Sequence, residues 1–184
     1  FLKNRRKKLE NSLIARSLYN KNSSIKEFIK FHKPRELKKL ELCRKFIKFK
    51  NKNILESNCG AGALLIKLKK EARTTNGIDD KYYKDYLEQN GHNYFSSLND
   101  AIDKKKKFDI IFSLSELEHK YNPIEFLKKL KKLLSKKGRV ILRVPNHENI
   151  YSMLLGNNFY KFDFRTSHNY YFSKKNMDLL LKKI

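Results

Sequence analysis

The chain has 184 residues and a formal net charge of +24, with 40% hydrophobic and 12% aromatic residues. This length supports one domain with its own core, and the aromatic content excludes a disordered chain. No stretch reaches the roughly 18 apolar residues of a membrane-spanning helix, so we expect no membrane span.

The positive charge has two interpretations. A nucleic acid or an anionic membrane would attract such a chain. However, only nine of the 43 basic residues are Arg, the residue that binds phosphate and guanine in bidentate geometry, while 18 residues are Asn. The Lys residues are also spread over the whole chain. This favours a genome biased towards Lys and Asn codons, with weak, salt-sensitive nucleic-acid binding expected under either interpretation.

Cysteine usage and the N-terminus indicate the compartment. Cys43 and Cys59 form neither a disulfide framework nor a metal-binding motif, so we predict free thiols and no metal site. The polar, basic start of the chain lacks the apolar core of a signal peptide. These features predict a cytoplasmic protein.

A basic, helical N-terminal segment is predicted over residues 1–50, covering part of the domain that follows. Its apolar residues recur at roughly helical spacing in two clusters on either side of Pro34. Because proline disfavours continuation of a helix, we expect Pro34 to separate two helices. The clusters consist of Ile25, Phe28, Ile29 and Phe31, and of Leu37, Leu40, Leu42, Phe46 and Ile47.

Strand and helix patterns then alternate through a second region, residues 51–184. Strands are predicted over residues 53–56, 76–79, 93–95, 108–114 and 139–144. Helices are predicted over residues 63–71, 81–90, 98–104 and 123–135. The last two strands are nearly continuous apolar runs, which suit parallel strands buried on both faces. The pattern predicts a doubly wound α/β sheet with ligands at the carboxyl ends of its strands.

The loop after the first strand is the most informative motif. It runs from Glu56 to Gly62 and precedes an apolar helix. Gly60 and Gly62 permit a tight turn and the close approach of a ligand to the backbone. Asn58 falls where another glycine would be expected, and Asn tolerates the left-handed backbone region well. The loop predicts a nucleotide-binding turn, with an ordinary strand-to-helix turn as the alternative.

Two further motifs place polar groups at the same edge. Asp79 ends the second strand about 20 residues beyond the loop, where a carboxylate can accept hydrogen bonds from ribose hydroxyls. Alternatively, Asp79 caps the helix that begins near Lys81. His119 follows the fourth strand and is either a general base or a packing residue of the loop.

Eight short motifs follow one another over about residues 50–182. They are Ile-Leu-Glu-x-x-Cys-Gly-x-Gly, Gly-Ile-Asp, Phe-Asp-Ile-Ile, Leu-Glu-His, Asn-Pro-x-x-Phe-Leu, Leu-Leu-Ser-Lys-Lys-Gly-Arg-Val, Val-Pro-Asn and His-x-x-Tyr-Phe-Ser. This ordered set resembles class I S-adenosylmethionine-dependent methyltransferases, in the small-molecule group that includes ubiquinone-biosynthesis and sugar methyltransferases.

The resemblance implies a Rossmann-like sheet with strand order 3-2-1-4-5 and S-adenosylmethionine as cofactor. It assigns cofactor contacts to Glu56, Ser57, Asn58, Cys59, Gly60, Gly62, Asp79, Ser97, Leu98, Ser113 and Leu114. Within this set, Asp79 would bind the ribose hydroxyls and Glu56 the amino-acid end. His119 and His168 would face the acceptor as the candidate catalytic residues.

Methyl transfer to a small-molecule acceptor is the function that the resemblance implies. The alternatives are an RNA or protein methyltransferase and a catalytically degenerate nucleotide-binding module. The Asn/Asp-Pro-Pro-Tyr motif typical of base N-methyltransferases is replaced by residues 113–116, Ser-Leu-Ser-Glu. An NAD enzyme is disfavoured because the loop lacks the Gly-x-Gly-x-x-Gly spacing.

The family sheet has seven strands, of which the last two form an antiparallel hairpin, whereas five are predicted here. We therefore expect a fragment that lacks the final hairpin and leaves the apolar edge of the fifth strand uncovered.

Overall fold

A computed structural model of the chain describes residues 25–156 and 167–184. Residues 1–24, the first part of the predicted N-terminal segment, lie outside this range, and so do the side chains of Phe28 and Phe31. The boundary predicted at residue 50 and the missing hairpin stay predictions.

Five parallel strands form one sheet in the order β3-β2-β1-β4-β5. The strands are β1 Asn53–Ser57, β2 Thr74–Ile78, β3 Asn93–Phe95, β4 Phe108–Leu114 and β5 Leu134–Arg143. The predicted fold class and strand order are confirmed. Since β4 pairs with β1 on the side away from β2, the winding direction reverses between β1 and β4, and a crevice opens there at the carboxyl ends.

Helices connect the strands and cover both faces of the sheet. They are α1 Ile25–Arg44, α2 Ala63–Leu68, α3 Lys84–Gln89, α4 Leu98–Asp103, α5 Pro123–Leu133, α6 Ile150–Leu155 and α7 Lys174–Leu181. The predicted helix over residues 81–90 is divided into a 3-10 turn, Lys81–Tyr83, and α3. Among the described helices, none is long and apolar enough to cross a membrane.

Neighbouring residues of the central strands point into two separate cores. Ile54 and Phe112 pack in one cluster with Leu64, whereas Leu55 and Ile111 pack on the opposite face. This alternation with burial on both faces is what a parallel sheet covered by two helical layers requires. The central strands therefore hold their carboxyl ends in a fixed place under the crevice.

The predicted helix break at Pro34 is wrong, because α1 runs without interruption from Ile25 to Arg44. Proline removes one intrahelical hydrogen bond, but packing on both sides of it holds the helix together. Ile29 packs on the cluster of Leu65 and Leu87, and Leu40 is 2% exposed in the cluster of Ile54. The two exposed members of the second predicted cluster, Leu42 and Phe46, do not belong to the core.

The fifth strand begins earlier than predicted, at Leu134, directly after α5 ends at Leu133. Phe108 of β4 pairs with Leu134, whereas Ile110 pairs with Arg139, so the register shifts between the two pairs. A Cβ on Gly138 would lie 2.7 Å from the Phe108 carbonyl oxygen. The absence of a side chain at Gly138 therefore permits this bulge.

Candidate functional site

A cavity of about 510 Å³ opens at the carboxyl ends of β1, β2 and β4. Eight of the thirteen predicted site residues line it, namely Glu56, Asn58, Cys59, Gly60, Asp79, Leu114, His119 and His168. The other five do not line it, namely Ser57, Gly62, Ser97, Leu98, and Ser113. The predicted set is thus brought together in part around one crevice.

The loop between β1 and α2 turns by repeated use of the left-handed backbone region. Asn58, Gly60 and Gly62 have φ values of 59°, 54° and 72°. The left-handed conformation of Asn58 agrees with the tolerance expected for Asn at this position. Gly62 precedes α2, and a Cβ there would lie 2.8 Å from Leu87 Cδ2. Gly62 therefore shapes the turn without facing the cavity itself.

Asp79 ties this loop to the end of β2. Its Oδ2 accepts a hydrogen bond of 2.6 Å from the Gly60 N–H, and its Oδ1 accepts one of 2.7 Å from the Asp80 N–H. Asp80, not Asp79, caps the following 3-10 turn by accepting from the Tyr82 N–H. Burial raises the pKa of Asp79, while the two backbone donors oppose the shift. The carboxylate thus lies beside the loop and faces the cavity.

The close contact between loop and β2 depends on a glycine to which the sequence analysis gave no packing role. A Cβ on Gly77 would lie 2.6 Å from the sulfur of Cys59. Both cysteines are free, as predicted. Burial raises the pKa of the Cys59 thiol well above its ordinary value, which keeps the thiol protonated and unreactive. Cys59 is therefore a packing residue beneath the loop.

Glu56 ends β1 inside the protein with only 5% of its surface exposed. Within the described residues, its Oε2 is buried and accepts no hydrogen bond. Burial raises the pKa of Glu56 well above its ordinary value, the charge of Glu36 raises it further, and Lys39 opposes the shift. A buried carboxylate oxygen without a donor is costly unless a ligand supplies one.

Helix α1 contributes a wall of the cavity that the sequence analysis missed. His32, Arg35, Glu36 and Lys39 line the cavity. Their spacing places them on one face of a helix, and Lys39 Nζ contacts Glu36 Oε1 at 2.7 Å. The only signal in the sequence is this spacing of charged residues next to the buried Leu40.

His119 lies in a 3-10 turn, Leu117–His119, after β4. Its Nδ1 is 2.8 Å from the carbonyl oxygen of Ser167. A carbonyl oxygen can only accept a hydrogen bond, so Nδ1 carries the hydrogen and Nε2 of the neutral ring keeps its lone pair. The second candidate, His168, packs edge-to-face on His119 with ring centroids 4.9 Å apart.

Backbone hydrogen bonds hold the two histidine segments together. The N–H groups of Asn169 and Tyr170 donate to the Glu118 carbonyl oxygen at 2.8 and 3.2 Å. The Asn169 side-chain amide donates to the His119 carbonyl oxygen at 2.8 Å. The late His-x-x-Tyr-Phe-Ser motif thus lies directly against the Leu-Glu-His motif.

Glu118, His119 and His168 also form a donor set for a cation. One donor atom from each lies within 4.8 Å of the others. Burial raises the pKa of Glu118, whose Oε2 accepts no hydrogen bond within the described residues. Carboxylate and imidazole groups of this kind can bind a divalent metal ion. Because His168 lies 49 residues beyond His119 in the chain, no short-range spacing indicates this set.

Ser97 and Ser113 have structural partners away from the cavity. Ser97 caps α4 by accepting a hydrogen bond of 3.1 Å from the Asp100 N–H, and Leu98 packs against the core. Ser113 is fully buried and donates to Glu116 Oε2 at 2.9 Å. Ser57 is also buried.

Comparisons with known proteins agree with this architecture. A family model described as a methyltransferase domain matches residues 25–184. The mitochondrial ubiquinone biosynthesis O-methyltransferase of Arabidopsis thaliana is 30% identical over 122 residues, covering 57% of this chain and 38% of that protein. The chain therefore spans well under half the length of this curated relative.

Two solved structures share the fold. Magnesium protoporphyrin IX methyltransferase from Synechocystis, solved with bound SAH, has a TM-score of 0.64 at 16% identity and covers 93% of this chain and 83% of its own. A possible histamine N-methyltransferase from Thermotoga maritima has a TM-score of 0.62 at 18% identity. The match covers 86% of this chain and 76% of that protein. Identities in this range establish the shared fold alone.

Proposed function

Since the chain belongs to the methyltransferase domain family, we propose that it transfers the methyl group of S-adenosylmethionine to a small-molecule acceptor. The observation that carries this proposal is the hydrogen bond of 2.6 Å from the Gly60 N–H to Asp79 Oδ2. It brings a glycine-rich turn and a carboxylate to one edge of the sheet. That is the arrangement a nucleoside ligand needs, with room for close approach and an acceptor for ribose hydroxyls.

The charges around the cavity suit this cofactor. S-adenosylmethionine carries two cationic centres, an ammonium and a sulfonium, and four carboxylates line the cavity, namely Glu36, Glu56, Asp79 and Glu118. After methyl transfer the sulfur is neutral, so S-adenosylhomocysteine loses part of this attraction. S-adenosylhomocysteine is the SAH bound in the Synechocystis protein. In our proposal Asp79 binds the ribose and Glu56 the amino-acid end.

The reaction requires little from the protein besides alignment. The acceptor atom attacks the methyl carbon, the carbon–sulfur bond breaks with its electron pair going to sulfur, and the acceptor loses a proton. His119 Nε2 is the base that would take this proton, because Nδ1 is engaged by Ser167. His168, which packs on the same ring, is the second candidate.

A small-molecule acceptor is supported by two similar proteins, a ubiquinone biosynthesis O-methyltransferase and a magnesium protoporphyrin IX methyltransferase. An RNA or protein acceptor rests only on the net charge of +24. If RNA were the acceptor, an RNA gel shift would persist at high salt, whereas binding through charge alone weakens steeply. The cytoplasmic location remains part of the proposal.

Calorimetric titration with S-adenosylhomocysteine tests the cofactor assignment. We expect Asp79→Ala to lower the affinity roughly 100-fold, because hydrogen bonds to a charged acceptor are worth about 1.5–3 kcal/mol each. Asp85→Ala is the matched control, since Asp85 is an exposed carboxylate on α3 outside the cavity. Equal affinities of the two variants, or displacement of S-adenosylhomocysteine by NAD, would contradict the proposal.

A further inference from the structure

Two carboxylates from different elements face the same cavity. Glu56 lies at the end of β1, and Glu36 lies on α1 with 14% of its side chain exposed. Both line the cavity. Their charges act on each other, since Glu36 raises the pKa of Glu56. Folding has therefore placed two like charges at the wall of a ligand-sized cavity, and Lys39, which opposes the pKa shift of Glu56, offsets their repulsion only in part.

Each of these two carboxylates has one oxygen without a hydrogen-bond donor within the described residues. Lys39 Nζ occupies Oε1 of Glu36 at 2.7 Å. Within the described residues, Oε2 of Glu36 and Oε2 of Glu56 are buried and accept no hydrogen bond. Lys39 therefore donates to one oxygen of Glu36, while Oε2 of Glu36 and Oε2 of Glu56 can accept hydrogen bonds from a ligand.

An alkylammonium group has the chemistry that these acceptors need. It carries a positive charge and three N–H donors, so it can donate to two carboxylates at once. We propose that Glu36 and Glu56 together bind the ammonium group of the methionyl end of S-adenosylmethionine, which makes α1 part of the cofactor site. This inference rests on the function proposed above, which by itself assigns the amino-acid end to Glu56 and the loop alone.

The position of Glu36 is fixed by packing on the same helix. Leu40, one turn later, is 2% exposed and belongs to the core cluster of Ile54 and Leu64. Residues four apart lie on the same side of a helix. The anchored Leu40 therefore holds Glu36 against the carboxyl end of β1, and Lys39 orients its carboxylate as a positioning residue.

The test measures binding of three ligands by calorimetry to the wild type and to Glu36→Gln. S-adenosylhomocysteine has the ammonium and the carboxylate, its decarboxylated analogue keeps only the ammonium, and 5′-methylthioadenosine has neither. We expect Glu36→Gln to weaken the first two ligands about tenfold or more, as loss of a charged hydrogen bond does. Methylthioadenosine should bind the variant and the wild type equally, which also reports that the variant is folded.

Glu41→Gln is the matched control, because Glu41 is an exposed carboxylate on the same helix outside the cavity. It should leave all three affinities unchanged. If the wild type binds S-adenosylhomocysteine but Glu36→Gln binds it equally well, or loses methylthioadenosine to the same extent, the role of Glu36 is overturned and the proposed function stands. If the wild type binds none of the three ligands, the proposed function fails and this inference fails with it.

Discussion

Two walls of the cavity, besides the one formed by α1, are built in different ways. The loop wall consists of residues 58–62 and Asp79, and its defining hydrogen bond joins residues 19 apart in sequence. The histidine wall consists of Leu117–His119 and residues 167–170, joined by hydrogen bonds across 48 and 50 residues. The loop wall is made by backbone conformation, whereas the histidine wall is made by distant segments docking together. We therefore expect that a substitution in one wall leaves the function of the other wall unchanged.

The largest expected effect is on the histidine wall. His119→Gln should lower kcat by about 100-fold or more, the usual contribution of a general base, and leave the affinity for S-adenosylhomocysteine within about twofold. The measurements are methyl-transfer rates with an acceptor identified by screening, and calorimetric titration. His147→Gln is the control, because His147 does not line the cavity. A parallel loss of cofactor affinity would show that the walls are not independent.

The same wall can be examined without an acceptor. Long-range ¹H–¹⁵N spectra of the imidazole rings should show His119 as the Nδ1–H tautomer, because its Nδ1 faces the Ser167 carbonyl oxygen. An Nε2–H tautomer would remove the proposed base.

The next effect is on the loop wall. Gly62→Ala forces a side chain into a φ of 72° and against Leu87 Cδ2, so the free energy of unfolding should fall by about 2 kcal/mol and cofactor binding should weaken. Gly91→Ala is a control with a similar φ of 75° at a residue that does not line the cavity, where only the flexible end of Lys69 interferes. It should cost about 1 kcal/mol and leave binding intact. Chemical denaturation and calorimetry measure both quantities.

A pH-dependent effect follows from Glu56 behind the loop wall. Its pKa is raised in the folded protein, so the unfolded chain loses its proton first, near 4.5, and stability falls as the pH rises above that value. Glu56→Gln has no carboxyl group at this position, so its stability should not fall in this way as the pH rises. We expect a higher melting temperature than the wild type at pH 7.5 and equal temperatures near pH 4. Glu41→Gln should show no such difference, and a destabilised Glu56→Gln at neutral pH would contradict the explanation.

The smallest effect concerns Asn58, which occupies a left-handed position in place of glycine. Asn58→Gly relieves a minor backbone cost and should change stability by less than about 0.5 kcal/mol. Affinity for S-adenosylhomocysteine should change less than about threefold. A large gain in affinity would mean that the Asn58 side chain obstructs the loop wall.

The difference between the walls explains what could be predicted from the sequence. The glycines, Asn58 and Asp79 are visible because a left-handed turn and a strand end restrict the residue types locally. The doubly wound α/β sheet followed from alternating patterns and buried runs, whereas the strand order followed from the family resemblance. By contrast, the contact of His119 with Ser167 depends on docking of distant segments, and no short-range pattern encodes it.

Other parts of the site were missed for the same physical reason. The continuous α1 is held by core packing on both sides of Pro34, which outweighs the local preference of proline. The role of Gly77 depends on the sulfur of Cys59 across the sheet edge. Ser97 and Leu98 were assigned to the cofactor by resemblance; Ser97 caps a helix and Leu98 packs against the core, and their cofactor contacts stay a prediction. The assignments to Ser57 and Ser113 likewise fall on buried side chains.

The two thiols of the chain differ in access, and this gives a built-in reporter. Cys43 is partly exposed on α1, whereas Cys59 is buried beneath the loop against Gly77. A maleimide should label Cys43 promptly and reach Cys59 only when the turn lifts from the sheet. The labelling rate at Cys59, with Cys43 as internal standard, would therefore measure how fast the loop between β1 and α2 opens.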